Sequence, residues 1–376
     1  MNKINLFLAA AGSGKTTMLV DQALSVFKDD NILITTYTDN NTAEIKKKIF
    51  EKKHCIPANI FIKSWFSFLL QDLARPFQDI LDKKLYDKNI GFILENEQTK
   101  NISKEEIIRY YFCSQTSLKN IKIKSSMLSD FVCRTNEAGK NIIINRLERC
   151  YKHIFIDEVQ DLAGYDLELL RLFSKSRIYL TMAGDLRQTV YSTNPARKNK
   201  KYKEGKICDY LSDKKISYNL DDSKLQTSHR NIKEVIDFSH LLFPNFAKPQ
   251  PCSCEQCHDS QIKHRGCFFI RRKNVKQYCE RIKPVILRWD KKSKIDVFPQ
   301  CKVFNFGEAK GLSFDHVLIY LTQPMKQWVN NYRNDKLAFL SKCKFYVAIT
   351  RAKYSCCLVF DDQDTVSNDF LSEYKS

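Results

Sequence analysis

The chain has 376 residues, enough for two ordinary domains, and 43% of them are hydrophobic, which excludes a disordered or fibrous polymer. Lys and Arg number 62 against 43 Asp and Glu, a formal charge of +19, so polyanions gather at the surface and nucleic acid is the first partner to consider. The 14 Cys, with no basic-apolar-small leader and no apolar run near the roughly 18 residues of a membrane span, read as mostly free thiols in a reducing, cytoplasmic setting.

Short apolar runs rich in Ile, Val, Phe and Tyr alternate with longer amphipathic stretches, the pattern of an α/β protein whose parallel sheets are wrapped by helices. The first predicted strand, Ile4–Ala10, runs into Ala9-Ala10-Ala11-Gly12-Ser13-Gly14-Lys15-Thr16-Thr17. A glycine-rich turn between a strand and a helix lets backbone N–H groups cradle phosphates; Lys15 then reaches the β/γ oxygens and Thr16 binds Mg²⁺. Ala9 stands where the general pattern has its first Gly. A second strand is predicted at Asn31–Thr38. Between Pro76 and Cys150 the sequence turns charged and helix-rich without comparable strands, which predicts an inserted helical subdomain.

Two further strands, His153–Glu158 and Arg177–Asp185, follow the insertion. The first ends in the paired carboxylates Asp157 and Glu158. After a phosphate loop, such a pair suits phosphoryl transfer: Asp157 holds Mg²⁺ through its water shell, and Glu158 orients and deprotonates the attacking water. Two solvated acids at a strand end are the bland alternative, and the upstream loop argues against it. The basic, turn-forming stretch Asn194–Lys201 predicts a linker, dividing the chain into a first core over 1–193 and a second over 194–376. In the second core, strands are predicted at Cys267–Arg271, Cys301–Phe306, His316–Thr322 and Tyr354–Asp361, with a helix over Asn231–Phe243.

Asp157-Glu158-Val159-Gln160-Asp161 and Gly184-Asp185-Leu186-Arg187-Gln188 resemble two signature motifs of the UvrD/Rep-type superfamily-one helicases. Other blocks agree, in the same order. Thr36-Tyr37-Thr38-Asp39 with Ala43-Glu44-Ile45, and then Ser64-Trp65, resemble the family's DNA-contact motifs. Ser228-His229-Arg230, Ala309–Asp315 and Tyr346–Ala352 resemble those of its second core. The resemblance implies two RecA-like cores, with ATP in the cleft between them and single-stranded DNA across their tops. It implies that Lys15, Thr16, Asp157, Glu158 and Gln188 serve catalysis from the first core. Arg230 and Arg351 would reach the γ-phosphate from the second, and Lys310 and Gly311 would join the nucleotide-binding set. Guanidinium groups supplied by a neighbouring element are a usual means of stabilising phosphoryl charge, which agrees with that implication.

The chain departs from the family pattern at several positions. Only Met1-Asn2-Lys3 precede the first strand, where the family carries a glutamine-bearing adenine motif, and Ser313 replaces a Glu near the ribose. Gly307 and Lys63 replace common His residues, and Thr193 stands where many members have a base-stacking aromatic. Tyr37, Trp65 and Tyr191 are the remaining stacking candidates, with core packing as their alternative. Ser64 accompanies Trp65, and Lys198 and Lys201 in the basic stretch are candidates for phosphate contact.

Cys252-x-Cys254-x-x-Cys257-His258, with His264 and Cys267 nearby, holds enough soft ligands for one tetrahedral Zn²⁺. No second Cys-x-x-Cys completes the spacing, and Cys is abundant throughout the chain. ATP and Mg²⁺ are therefore the expected cofactors and zinc is not. The function expected is an ATP-dependent translocase or helicase on single-stranded or tailed duplex DNA. With only small insertions and no aromatic at Thr193, it should unwind weakly unless self-association or a protein partner assists. The alternative is a nucleotide-controlled switch within a larger DNA-processing or genome-defence complex. A P-loop nucleotide kinase would have no use for Arg230, Lys310-Gly311 and Arg351 in a second core. With only a short tail beyond Phe360, no nuclease domain is expected.

Overall fold

The computed structural model describes the chain apart from residues 1–2, 95–106, 114–119, 192, 195, 256, 258, 333–335 and 376. Its packing divides the chain into two units. One comprises Met1–Phe7, Lys15–Gly184 and Ser192–Asp221; the other comprises Leu8–Gly14, Asp185–Tyr191 and Asp222–Ser376. Each is built on a six-stranded sheet, so the expected α/β class with two parallel-sheet cores is what the structure has.

In the first unit the strands are β1 (Ile4–Leu8), β2 (Ile32–Thr36), β3 (Ile60–Ser64), β4 (Asn89–Ile93), β5 (Phe112–Cys113), β6 (Asn120–Lys124), β7 (His153–Asp157), β8 (Tyr179–Gly184) and β9 (Asn219–Asp221). The main sheet runs β3-β2-β7-β8-β1-β9. Every residue of β2 and the last four of β7 are buried, as expected for central parallel strands covered on both faces. β3 was not anticipated: it lies at the sheet edge, where Phe61 is exposed, and its apolar run is only the three residues Ile60-Phe61-Ile62. After Gly14, helix α1 (Lys15–Ser25) buries Leu19, Val20 and Ala23 on one stripe. The next helix, Asp39–Lys53, is defined at both ends. Thr38 accepts the Asn41 N–H at 3.2 Å, Asp39 lies in the first turn, and Lys52 and Lys53 lie in the last turn before a left-handed His54.

The insertion corrects one expectation. Alongside the helices Ser125–Ala138 and Ile142–Cys150 it contains a small sheet, β4-β6-β5, although no strands were expected between Pro76 and Cys150. β4 and β6 pair in parallel, Ile90 opposite Ile121 and Phe92 opposite Ile123; β6 alternates apolar with Lys or Asn throughout, and β4 alternates as far as Phe92. Half-buried alternation of this kind hides a short strand from a search for apolar runs. The boundary also differs. After Asp185–Tyr191, which belong to the second unit, Ser192–Asp221 return to the first: Asn199 donates to Gly164 O at 2.9 Å and to Glu168 at 3.0 Å, and β9 adds to the sheet beside β1.

The second unit carries a two-stranded parallel pair, β10 (Thr227–Ser228) with β11 (Gln250–Pro251). Its main sheet runs β14-β13-β15-β16-β12-β17, built from β12 (Gly266–Arg271), β13 (Val285–Arg288), β14 (Val303–Asn305), β15 (Phe314–Tyr320), β16 (Ala352–Phe360) and β17 (Ser372–Glu373). The four predicted strands are present within a few residues of their expected limits, and β13 and β17 are additional. The predicted helix is Lys233–His240. Phe238, Trp328, Phe345 and Tyr346 pack with the buried faces of β15 and β16 to make the core. Among the described residues, no helix is long and apolar enough to cross a membrane.

Candidate functional site

Parallel α/β sheets present ligand sites at the carboxyl ends of their strands, where helix N-termini and loops converge. In the first unit that end brings together four of the predicted residues. Lys15, the first residue of α1, donates to Asp157 and, at 2.5 Å, to Glu158, the last residue of β7 and its successor. Thr16 donates its hydroxyl to Asp157 at 2.8 Å. Burial alone would lower the Lys15 pKa; Asp157 and Glu158 beside it raise it well above the ordinary lysine range, so the ammonium stays charged.

Glu158 has φ +59, a left-handed conformation that a non-glycine residue rarely adopts. It turns the chain sharply at the end of β7, with the side chain held toward Lys15. Gln160 donates its amide to the same carboxylate. Gln160 in turn needs Gly184 at the end of β8, where a Cβ would lie 2.4 Å from the Gln160 amide oxygen. Gln160 was not among the predicted site residues, although its place two positions beyond Glu158 puts it within reach.

The residues of the phosphate loop up to Gly14 pack with the second unit. Gly12 and Gly14 have φ +74 and +81, so the loop takes turns that only glycine adopts without strain. Ala10 and Ala11 are buried, Thr17 is half-buried on α1, and the Ser13 hydroxyl is buried with no hydrogen-bond partner in the structure. Two braces hold the loop. Arg187, buried between the rings of Tyr346 and Phe246, donates to Asp185 at 2.8 Å and to Ala9 O at 3.1 Å. Ser228 donates to Ala11 O at 2.9 Å. Neither brace was predicted; both come from the expected motifs, one residue before Gln188 and two before Arg230.

Within the same unit Gln188 and Arg351 meet. The Arg351 guanidinium, only 1% exposed, donates to Gln188 at 3.0 Å, to Leu312 O at 3.1 Å and to Val347 O at 3.2 Å. Gln188 donates onward to Asp185 at 2.8 Å. Arg230 is half-buried and lies against the loop so closely that a Cβ on Gly12 would come within 2.6 Å of the Arg230 Cβ. Asn231 ties that segment to Thr350 O at 3.0 Å. Lys310 sits 5.7 Å over the Tyr191 ring, and Gly311 has φ +86.

The DNA candidates fare differently. Trp65 is 1% exposed, and its indole N–H donates at 3.0 Å to the buried Asp166, so it is a core residue and not a surface on which bases stack. The apolar neighbours Phe66 and Phe68 carry it inward. Ser64 is buried too, its hydroxyl donating to Ser67. Thr193 is also structural: it donates to Asp161 O and accepts from the Ala163 N–H, both at 3.0 Å. Tyr37 is half-buried, edge-on to Phe66, and Tyr191 is half-buried beneath Lys310. Lys198 is exposed; Lys201 is exposed and paired with Asp213 at 2.8 Å. Of the zinc candidates, His258 lies outside the described residues, while Cys252, Cys254 and Cys257 lie together.

Comparison with known proteins agrees with this geometry. The profile of the UvrD/REP helicase N-terminal domain matches residues 1–71 and 77–206. A probable DNA helicase II homolog of Mycoplasma capricolum subsp. capricolum is 23% identical over 287 residues, covering 63% of this chain and 38% of that protein. The ATP-dependent DNA helicase Rep of Buchnera aphidicola subsp. Schizaphis graminum is 21% identical over 287 residues, 64% of this chain and 42% of that one. The chain thus spans about two fifths of the length of these relatives. The structure of the arterivirus nonstructural protein 10 helicase with DNA aligns with a TM-score of 0.47 and 14% identity, covering 96% of this chain and 62% of that one. Because the family profile takes in more than half of the chain, including the phosphate loop, the Asp157-Glu158 pair and Gln188, the chain belongs to the UvrD/REP helicase N-terminal domain family.

Proposed function

We propose that this protein is an ATP-dependent motor on single-stranded DNA that couples hydrolysis to movement along the strand. The observation that carries this reading is the Lys15 ammonium held by Asp157 and Glu158, with Thr16 bonded to the same aspartate. A lysine clamped by two carboxylates beside a glycine turn and a partnerless buried hydroxyl at Ser13 fits a polyphosphate, whose oxygens would take over the ammonium and engage the hydroxyl. Thr16 and Asp157, both hard oxygen donors, would hold Mg²⁺, which neutralises phosphate charge when bound. Glu158, oriented by Gln160, takes the proton of the water that attacks the γ-phosphorus as the bond to the ADP oxygen breaks. This reading assigns Arg230 and Arg351 to the charge on the transferred phosphoryl group, and Lys310 and Gly311 to nucleotide contact.

DNA as the polymer is supported by the +19 charge and by relatives named as DNA helicases. Tyr37 and Tyr191 remain the stacking candidates and Lys198 and Lys201 the phosphate contacts. Unwinding by the isolated chain is expected to be weak, gaining processivity from self-association or a protein partner. The test is ATP hydrolysis with and without single-stranded DNA, run beside strand displacement on a tailed duplex. Stimulation with short-range displacement is expected. Stimulation without displacement would favour a translocase or nucleotide-controlled switch, and hydrolysis indifferent to DNA would overturn the motor reading.

A further inference from the structure

We propose that His229, Cys252, Cys254 and Cys257 form a closed structural zinc site that clasps the β10–β11 pair and fixes the backbone leading to Arg230. Their four donor atoms all lie within 4.8 Å of one another. The Cys252 and Cys254 sulfurs are 3.1 Å apart, those of Cys254 and Cys257 3.0 Å, and Cys257 Sγ is 3.5 Å from His229 Nδ1. Zn–S bonds of about 2.3 Å at tetrahedral angles place sulfur atoms about 3.8 Å apart, and the adjacent donor atoms, at 3.0–3.5 Å, lie slightly inside that spacing. Hydrophobic burial does not explain the gathering, because His229 and Cys254 are exposed. The thiols are free, and the Cys254 N–H points to Cys252 Sγ at 3.5 Å, the kind of outer bond that orients a thiolate ligand.

The fourth ligand is invisible in the linear motif. The sequence places His258, His264 and Cys267 near the cysteines. His264, however, is stacked on Phe268 and bonded to the Tyr278 hydroxyl at 2.9 Å, and the buried Cys267 thiol faces Glu234 O. His229 arrives instead through strand register. Thr227 pairs with Gln250 and Ser228 with Pro251, and the Cys252 N–H donates to Ser228 O at 2.8 Å, so the residue after β10 meets the cysteine loop after β11. A parallel pair only two residues long on each side has little stability of its own. Cross-linking the two strands just past their carboxyl ends through one ion supplies what the pairing lacks.

Three thiolates and an imidazole select a soft, tetrahedral ion over Mg²⁺, and four protein ligands leave no open position for catalysis. Such a site would carry one net negative charge beside Arg230. The His229 backbone N–H donates to Gly12 O at 2.8 Å, so fixing the residue through its imidazole also holds the segment that packs on the phosphate loop. The consequence for turnover rests on the nucleotide-site reading above; the binding of zinc does not.

The test uses the full chain, expressed with zinc in the medium and purified without chelator. Elemental analysis should find about one zinc per chain. Cys254→Ser and His229→Ala should lose it, while His264→Ala should keep it. Chelator-stripped wild-type protein titrated with Co²⁺ should give thiolate charge-transfer bands and the intense visible bands of a tetrahedral ion, a reading that survives even where the variants do not fold. A wild-type chain with native circular dichroism but neither zinc nor a tetrahedral cobalt spectrum would overturn the proposal. So would a His229→Ala chain that binds zinc as tightly as wild type, since the fourth ligand would then lie elsewhere. Zinc bound at full stoichiometry in a chain without ATPase activity would leave the site standing and count against the motor reading instead.

Discussion

Replacing Trp65 by Phe separates a core role from a DNA-binding one. The Trp65 indole donates at 3.0 Å to Asp166, a fully buried carboxylate that also accepts from Ser129. Burial pushes the Asp166 pKa above its ordinary value, and donors including Ser129 and Trp65 pull it partway back. Phe keeps most of the apolar packing against Phe68 but removes the N–H, at a cost of about 1.5–3 kcal/mol for a bond to a charged group. At about 2–4 °C per kcal/mol for a unit of this size, the first unit's melting midpoint should fall by about 3–12 °C. The pH dependence has a definite sign. An acid whose folded pKa lies above its unfolded one costs nothing at low pH and destabilises progressively as pH rises from the unfolded value of 3.8 through the folded one. Losing the indole raises the folded pKa further, so the penalty should deepen from mildly acid to neutral pH. Scanning calorimetry across pH measures both effects, with single-strand affinity measured in parallel by fluorescence anisotropy. Wild-type midpoints combined with weakened DNA binding would refute the core assignment and return Trp65 to the DNA surface.

Lys15→Ala should abolish nucleotide binding, measured calorimetrically, since it removes the only side-chain ammonium on the Asp157-Glu158 pair among the described contacts. Glu158→Gln should bind ATP but hydrolyse it about 10²–10⁴-fold more slowly, and steady-state turnover at the wild-type rate would remove its role as base. Gln188→Ala takes the 3.0 Å acceptor from the buried Arg351 guanidinium, so the second unit should lose about 1.5–3 kcal/mol in denaturant titration and turnover should fall with it. Single-strand affinity should weaken with salt at a slope near −0.7 per phosphate contacted, with little base preference; a salt-independent affinity would contradict a basic DNA channel.

What could be read in the linear sequence was the chemistry whose partners are close along the chain or carried by a motif. The Gly12-Ser13-Gly14-Lys15-Thr16 turn follows an apolar run and opens a helix, and the Asp157-Glu158 pair ends another run; each declares its backbone setting locally. The continuous burial of β2 and β7 likewise leaves runs of Ile, Leu and Phe that identify a parallel sheet. Tertiary structure decided whatever depends on a partner far away. Trp65 finds Asp166 101 residues on, Gln188 finds Arg351 163 residues on, and His229 reaches Cys257 28 residues on only because two short strands pair in one register. An aromatic beside a motif has the same local signature whether it faces solvent or the core, and a histidine outside a cysteine cluster has none. Which neighbour each receives is set by how sheets and helices pack, a property of the folded chain that residue spacing does not carry.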